Sequence, residues 1–115
     1  MKVLLDTNFL LDIFRFKIPT DELKLHDLYT IRPVVREIEK ISRSRSKESV
    51  YARLALKFLE KINVIECEGD ADAIIEKISK GFVVATNDRE LRNKLKHKNV
   101  KTIYIKAKKE IEMVE

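Results

Sequence analysis

Two carboxylates follow closely on the two most apolar stretches of the chain. Asp6 comes directly after residues 3–5 (VLL), and Asp88 comes just after residues 82–86 (FVVAT). A short continuous apolar run predicts a strand buried on both faces, and the apolar spacing beyond each acid fits one face of a helix. Each acid therefore lies where a strand gives way to a helix, and Asp6 is a candidate for the first member of a metal-binding acid cluster.

Two further acids occupy comparable positions. Glu37 lies early in a helix predicted after a second strand, residues 27–31, and Asp72 lies in the first turn of a helix predicted after a third strand, residues 63–66. In a parallel sheet all carboxyl ends point to one edge, where ligands bind. We therefore expect these two acids to lie at the same edge as the first two.

Four carboxylates at one edge would repel one another, and without a cation some of them would have to take up protons. A divalent ion removes this conflict, and an all-oxygen donor set suits Mg²⁺ or Mn²⁺ rather than zinc. An alternative stays open for each acid taken singly. Asp6 and Asp88 are natural helix N-caps, Asp72 suits a first helical turn, and Glu37 fits a solvated helix position.

The positions of the two histidines argue against a mechanism or a metal site based on histidine. His26 and His97 lie away from every acid motif, which disfavours both a histidine-based RNase mechanism and a zinc site. His97 lies among lysines, where it fits either a basic rim for a nucleic-acid backbone or a plain surface position.

The elements that position the acids alternate between strand and helix. A last strand is predicted at residues 102–105, and helices are predicted to follow Asp6 and to begin near Pro33, Tyr51, Asp70 and Asp88. Strands and helices joined by short loops indicate βαβ units. The sequence therefore predicts an α/β fold with a mostly parallel sheet and helices on both of its faces.

Two predictions concern packing. The clearest amphipathic helix is expected to bury the side chains that recur at helical spacing, namely Tyr51, Leu54, Ala55, Phe58, Leu59 and Ile62. The charged tail, residues 106–115, is expected to dock on the sheet edge through Ile111, Met113 and Val114. Tyr104 is assigned to the core.

Length and composition set the remaining bounds. A chain of 115 residues with 44% hydrophobic and 37% charged residues predicts one compact domain, residues 1–115. The net charge of +5 favours an anionic partner, most commonly nucleic acid. The lone Cys67, a start that leads directly into a strand, and the lack of an apolar run near 18 residues predict a cytoplasmic protein without a membrane segment.

The segments that carry the acids resemble the PIN-domain nuclease family. VLLDTNFLLD, PVVREIEK, DADAIIEKI and VVATNDREL occur in this order, and the likeness covers essentially the whole chain. The first and last segments are the more specific. The resemblance implies a three-layer α/β/α sandwich with a mostly parallel central sheet, and Mg²⁺- or Mn²⁺-dependent cleavage of single-stranded RNA.

The resemblance also implies roles for individual residues. The family's acidic quartet, as catalytic residues and metal ligands, falls on Asp6, Glu37, Asp72 and Asp88. Asn8 and Thr86 match the family's polar positions beside the acids. The DADA segment offers both Asp70 and Asp72 for the third acid, and Asp72 is the choice because it directly precedes the Ala-Ile-Ile run that the family shows there.

Basic residues outside the acid motifs are candidates for RNA contact. They are Arg43, Arg45 and Lys47 in the low-complexity segment 42–49, with Arg89 and Arg92 in the last helix. The segment has no aromatic side chain, which suits contact with phosphates better than base stacking. A solvated surface segment is the alternative, since charged runs often form solvated faces.

The main functional prediction is an endoribonuclease of RNA or ribosomal-RNA maturation, since the ending NDRELRNKLKHKNVKTIYI is similar to that branch of the family. The first alternative is the toxin ribonuclease of a VapBC pair, with a protein antitoxin as partner. The alternatives of another class are a noncatalytic RNA-binding module and a Mg²⁺-dependent phosphoryl-transfer or receiver domain. The resemblance also raises the expectation of a homodimer.

Overall fold

A six-stranded sheet forms the middle layer of the computed structural model, which describes residues 1–107 and 110–114. The strands are β1 (Lys2–Leu5), β2 (Asp27–Ile31), β3 (Asn63–Ile65), β4 (Val83–Ala85), β5 (Thr102–Lys106) and β6 (Glu110–Val114). Residues 3–5 of β1 are completely shielded from solvent. The prediction of a strand buried on both faces is therefore confirmed.

The strand order β3-β2-β1-β4-β5-β6 creates a crevice in the middle of the sheet. The first five strands are parallel, and β6 pairs antiparallel with β5. The chain moves outward from β1 to β3 and then returns to place β4 beside β1, so the helices that follow these two neighbours diverge. Receiver domains have the order 2-1-3-4-5, and the receiver alternative is therefore wrong.

Five helices cover the sheet. They are α1 (Thr7–Arg15), α2 (Arg32–Ser42), α3 (Glu48–Leu59), α4 (Ala71–Ile78) and α5 (Arg89–His97), and a short 3-10 turn spans Leu23–Leu25. The helices α1, α2 and α3 pack against one another, and α4 packs against α5. This grouping gives the two outer layers of the predicted three-layer α/β/α sandwich.

Local sequence signals explain where the helices begin. Asp6, Asp70 and Asp88 are the N-cap residues of α1, α4 and α5, and each accepts a hydrogen bond from a backbone N–H of its helix. Pro33 lies in the first turn of α2, where its missing N–H costs nothing. The positions of these three aspartates are therefore set by the starts of the helices that they cap.

The packing of α3 and of the tail differs from the predictions. The helix α3 begins at Glu48, and Leu54 is 46% exposed because its face lines an open groove rather than the core. Tyr51 and Tyr104 are half-buried. Ile111 packs against the core from β6, as expected, whereas the docking predicted for the Met113 and Val114 side chains lies outside the described part of the structure.

Within residues 1–107 and 110–114, no helix combines the length and the apolar character that crossing a bilayer would require.

Candidate metal centre

A pocket of about 290 Å³ opens at the carboxyl ends of β1 and β4. Its lining includes Asp6 from the end of β1, Glu37 from α2, Asp72 from α4 and Asp88 from the start of α5. Asp70 joins them from the N-cap of α4. The structure therefore brings the four predicted acids, separated widely in sequence, to one pocket in the central crevice of the sheet.

Asp6 is the most deeply buried of these acids, with 3% of its surface exposed. Its Oδ1 accepts a hydrogen bond of 2.8 Å from the Thr7 backbone N–H, and its Oδ2 accepts one of 2.8 Å from the Thr86 hydroxyl. Burial raises the pKa of Asp6 to about 6, although both hydrogen bonds oppose the shift. The charges of Asp72 and Glu37 raise this pKa further.

Thr86 connects the two strand-end acids. It is fully buried at the end of β4, and while its hydroxyl donates to Asp6, its Oγ1 accepts a hydrogen bond of 3.2 Å from the Asp88 backbone N–H. Asp88 itself caps α5, where its Oδ1 accepts from the backbone N–H groups of Glu90 and Leu91 at 2.9 and 3.3 Å. Thr86, which was predicted to lie beside the acids, is therefore hydrogen-bonded to both Asp6 and Asp88.

Asn8 and Asn87 form a second link between α1 and the end of β4. Asn8 Oδ1 accepts a hydrogen bond of 3.0 Å from the Asn87 backbone N–H. The Asn87 side-chain amide donates to Asp12 Oδ2 at 2.8 Å, and Asn87 Oδ1 accepts from the Ile105 backbone N–H at 2.9 Å. Asn87 was not among the residues predicted from the sequence, although its place between Thr86 and Asp88 is a signal that could have identified it.

Glu37 reaches the pocket from the exposed side of α2. Its Oε2 accepts a hydrogen bond of 2.7 Å from the Thr7 hydroxyl, across a separation of 30 residues. Thr7 therefore touches two acids at once, because its backbone N–H binds Asp6 and its side chain binds Glu37. No sequence prediction was made for the Thr7 side chain, whose partner Glu37 lies 30 residues away.

Asp70 and Asp72 play different parts at the start of α4. Asp70 Oδ2 accepts a hydrogen bond of 3.0 Å from the Ala73 backbone N–H, so this carboxylate is engaged in capping. Partial burial raises the pKa of Asp72, and the negative charges of Asp88, Asp70 and Glu37 add to the rise. The pocket therefore carries a concentration of negative charge that a cation would neutralise.

The donor chemistry of the pocket fits a hard divalent cation, because its polar lining is rich in carboxylate oxygens with lone pairs to spare. The side chains are not yet arranged as a ligand set. Among the described residues, no three His, Cys, Asp or Glu side chains form a group that could hold an ion as they stand. Binding would therefore require rotation of the exposed carboxylates toward the buried one.

The predicted RNA-contact residues lie outside this pocket. Arg43, Arg45 and Lys47 are exposed between α2 and α3, and Arg89 is exposed in the first turn of α5. Arg92 differs from these four because its guanidinium packs over the ring of Tyr104. Contact of these residues with RNA stays a prediction.

A larger groove of about 600 Å³ lies at the other end of the sheet. It is lined by residues at the starts of β2 and β3, by apolar side chains such as Leu54 and Phe58 on α3, and by lysines. Its lining has one carboxylate, Asp27, and none of the four predicted acids. This groove is larger than the acidic pocket, but the acidic pocket is the better candidate for a metal site because of its carboxylates.

Comparison with known proteins agrees with this architecture. The family model described as "PIN like domain" matches residues 3–108. Ribonuclease VapC4 of Methanocaldococcus jannaschii is 31% identical over 125 aligned positions, which cover 97% of this chain and 95% of that protein. Ribonuclease VapC9 of Archaeoglobus fulgidus is 43% identical over 81 residues, which cover 68% of this chain and 60% of the length of VapC9.

Two solved structures share the fold. A domain of a functionally unknown protein from Methanocaldococcus jannaschii superposes with a TM-score of 0.65 at 22% identity, covering 92% of this chain and 91% of that one. The crystal structure of PAE2754 from Pyrobaculum aerophilum gives 0.56 at 21% identity, covering 82% and 79%. Together with the match to the family model over nearly the whole chain, the fold shows that the protein belongs to the family of PIN-like domains.

Proposed function

We propose that this protein is a divalent-metal-dependent endoribonuclease that cleaves single-stranded RNA as the toxin of a VapBC-type toxin–antitoxin pair. The observation that carries the proposal is the acidic pocket, where Asp6, Glu37, Asp72 and Asp88 surround one space at the central crevice of the sheet. The names of the relatives VapC4 and VapC9, both ribonucleases, support RNA as the substrate.

The same relatives favour the toxin alternative over the main prediction of a role in RNA maturation, because both carry VapC names. A protein antitoxin of the VapB type is the partner that this proposal implies. The noncatalytic alternative is disfavoured by the charge of the pocket, since carboxylates repel an RNA phosphate unless a cation lies between them.

In the proposed mechanism, Asp6 and Asp88 would hold the cation, and Glu37 and Asp72 would complete its ligand set directly or through water. Bound Mg²⁺ or Mn²⁺ would supply Lewis-acid activation of water and of the scissile phosphate. Thr86 keeps the Asp6 carboxylate in place through its 2.8 Å hydrogen bond, and Thr7 keeps Glu37 within reach of the pocket. The acids of the chain thus provide the charge, and the threonines provide their orientation.

Cleavage of a labelled single-stranded RNA tests the nuclease. We expect the native chain to cut with Mg²⁺ or Mn²⁺ and to be inactive in EDTA, and we expect Asp6→Asn to lower the rate by about 10³-fold, as loss of a metal ligand would. Asp27→Asn is the matched control, because it removes one carboxylate at the opposite end of the sheet. Equal cutting by the native chain and Asp6→Asn would contradict the proposed site.

Expression in cells separates the toxin from the maturation enzyme. A toxin should arrest growth as the native chain but not as Asp6→Asn, and coexpression of the neighbouring antitoxin reading frame should restore growth. Normal growth in the presence of active enzyme, together with accumulation of unprocessed ribosomal RNA when the gene is deleted, would favour the maturation role instead.

A further inference from the structure

Arg92 and Tyr104 form a stacked pair. The guanidinium carbon Cζ of Arg92, in α5, lies 4.2 Å from the centroid of the Tyr104 ring, in β5. Both side chains are half-buried. At this distance the ring attracts the cation and restricts the guanidinium to one orientation. The pair therefore presents a positive charge in a fixed place.

The surroundings of Arg92 differ from those of the other half-buried arginines. Arg15 forms ion pairs with Asp12 at 2.8 Å and with Glu48 at 2.9 Å, and Arg32 forms one with Glu66. The guanidinium of Arg92 has no ion pair or hydrogen bond with any residue in 1–107 and 110–114.

Its Nε is moreover the one buried side-chain nitrogen or oxygen in the described part of the chain that has no hydrogen-bond partner. Leaving a buried donor of a charged group unpaired is costly. The two Nη atoms of the guanidinium carry four further N–H donors, and these can bind the oxygens of a phosphate that is not part of the chain.

The position of the pair relates it to the acids. Tyr104 precedes Ile105, whose backbone N–H donates to Asn87 Oδ1 at 2.9 Å, and Asn87 directly precedes Asp88. Tyr104 is the middle residue of β5, and it lies one residue beyond Ile103, which pairs in parallel with Ala85, the last residue of β4. The guanidinium is thus at the same edge of the sheet as the pocket, on the β5 side of Asp88.

We propose that Arg92, oriented by Tyr104, binds a backbone phosphate of the RNA strand next to the phosphate that is cleaved. This inference rests on the proposed ribonuclease function and adds a substrate contact to it. Arg92 is the contact residue and Tyr104 is a positioning residue. Because the contact is to phosphate, it adds affinity for RNA of any sequence and carries no preference for a base.

Salt-dependent binding of a fluorescent single-stranded RNA with uncleavable phosphorothioate linkages tests the proposal, at a constant Mg²⁺ concentration that neutralises the acidic pocket. Each phosphate contact in a single strand contributes about 0.7 to the slope of log affinity against log salt concentration. We expect Arg92→Gln to weaken binding by about tenfold at low salt, as expected for loss of one charge-assisted hydrogen bond, and to reduce the slope by about 0.7.

The control is Arg53→Gln, which removes the same charge from an exposed position on α3. It should leave both the affinity and the slope close to those of the native chain.

Variants of Tyr104 distinguish positioning from packing. Tyr104→Phe keeps the ring and should bind RNA as the native chain does, whereas Tyr104→Leu should weaken binding in the same direction as Arg92→Gln. Arg92→Lys keeps the charge and should retain the native slope. If Arg92→Gln only lowered the melting temperature, with unchanged affinity and slope, the pair would merely pack α5 against β5 and the inference would be wrong.

The outcomes also separate this inference from the proposed function. Native binding and metal-dependent cleavage that do not respond to Arg92→Gln would overturn the phosphate contact and leave the nuclease intact. Failure of the native chain to bind or to cleave RNA would overturn both.

Discussion

The two halves of the acidic pocket are built in different ways. Asp6 and Asp88 follow neighbouring strands, cap the helices that come next, and are connected through Thr86 in the buried end of β4. Glu37 and Asp72 lie on the exposed surfaces of α2 and α4. The first pair is fixed by backbone and buried hydrogen bonds, whereas the second pair lies at the surface, where Glu37 accepts a hydrogen bond from the exposed Thr7 hydroxyl.

Because of this difference, the cost of burying a negative charge falls on Asp6, whereas the mobile side chains of the site are Glu37 and Asp72. The fixed half holds the strongest perturbation, a pKa of about 6 at buried Asp6. The exposed half can move its charges away when no cation is present, which agrees with the lack of a closed ligand group among the described residues. Cation binding would then draw the exposed carboxylates toward a preformed centre.

The largest effect expected within the exposed half separates its two aspartates. Asp72→Asn should reduce RNA cleavage by about 100-fold or more, because it removes a proposed metal ligand. Asp70→Asn should change the rate by less than about fivefold, since asparagine is a good N-cap and preserves α4. Steady-state cleavage rates at saturating Mg²⁺ measure both. A greater loss from Asp70→Asn would move the third ligand to Asp70.

The pH dependence of stability tests the cost borne by the fixed half. Because the pKa of Asp6 is higher in the folded state than the unfolded value of 3.8, its contribution to stability is fully present below about pH 4 and is lost as the pH rises toward 6. In EDTA the native chain should therefore lose up to about 3 kcal/mol between pH 4 and 7 relative to Asp6→Asn. Urea unfolding at a series of pH values measures this difference.

Mg²⁺ should reverse this order above pH 6 by stabilising the native chain more than Asp6→Asn. A constant difference between the two proteins across the whole pH range would contradict the assignment of the cost to Asp6.

Removal of the Thr86 hydroxyl should weaken the fixed half by a smaller amount. Thr86→Val keeps the shape of the side chain but takes away the donor to Asp6 and the acceptor for the Asp88 N–H. We expect about a 10- to 100-fold loss of metal affinity or activity and a loss of about 1–3 kcal/mol in unfolding free energy. Thr86→Ser, which restores the hydroxyl, should recover most of both.

The smallest effect should come from the contact that holds the exposed half. Thr7→Val removes the hydroxyl that donates to Glu37, but it keeps the backbone N–H that binds Asp6. Since Glu37 can still rotate into the pocket, we expect about a tenfold loss of activity at limiting Mg²⁺ and recovery at high Mg²⁺. A loss larger than that of Thr86→Val would show that both halves are equally rigid.

The parts of the fold that the sequence predicted are those set by local pattern. Continuous apolar runs identified β1 and β4, and the acids that follow them could be placed at one edge because parallel strands share their carboxyl ends. The positions of Glu37 and Asp72 early in the helices after β2 and β3 placed them at the same edge, and the family resemblance assigned them to the acidic quartet.

The features that escaped prediction depend on partners distant in sequence. Thr7 could have bonded to any nearby carboxylate, and its choice of Glu37 depends on how α2 packs beside α1. Asn87 bonds to residues of both α1 and β5, and no local pattern encodes these contacts. The exposure of Leu54 has the same origin, because helical spacing identifies an apolar face but not whether a neighbour covers it.

The hydrogen bond between Asp6 and Thr86 spans 80 residues, and this separation has a consequence for synthesis. A ribosome releases the amino-terminal aspartate long before the threonine that must hold it, so a nascent chain cannot form the site until most of the message has been read. Truncated products that end before β4 lack both Thr86 and Asp88, and therefore lack half of the acidic pocket. Under the proposed ribonuclease function, such products would be inactive.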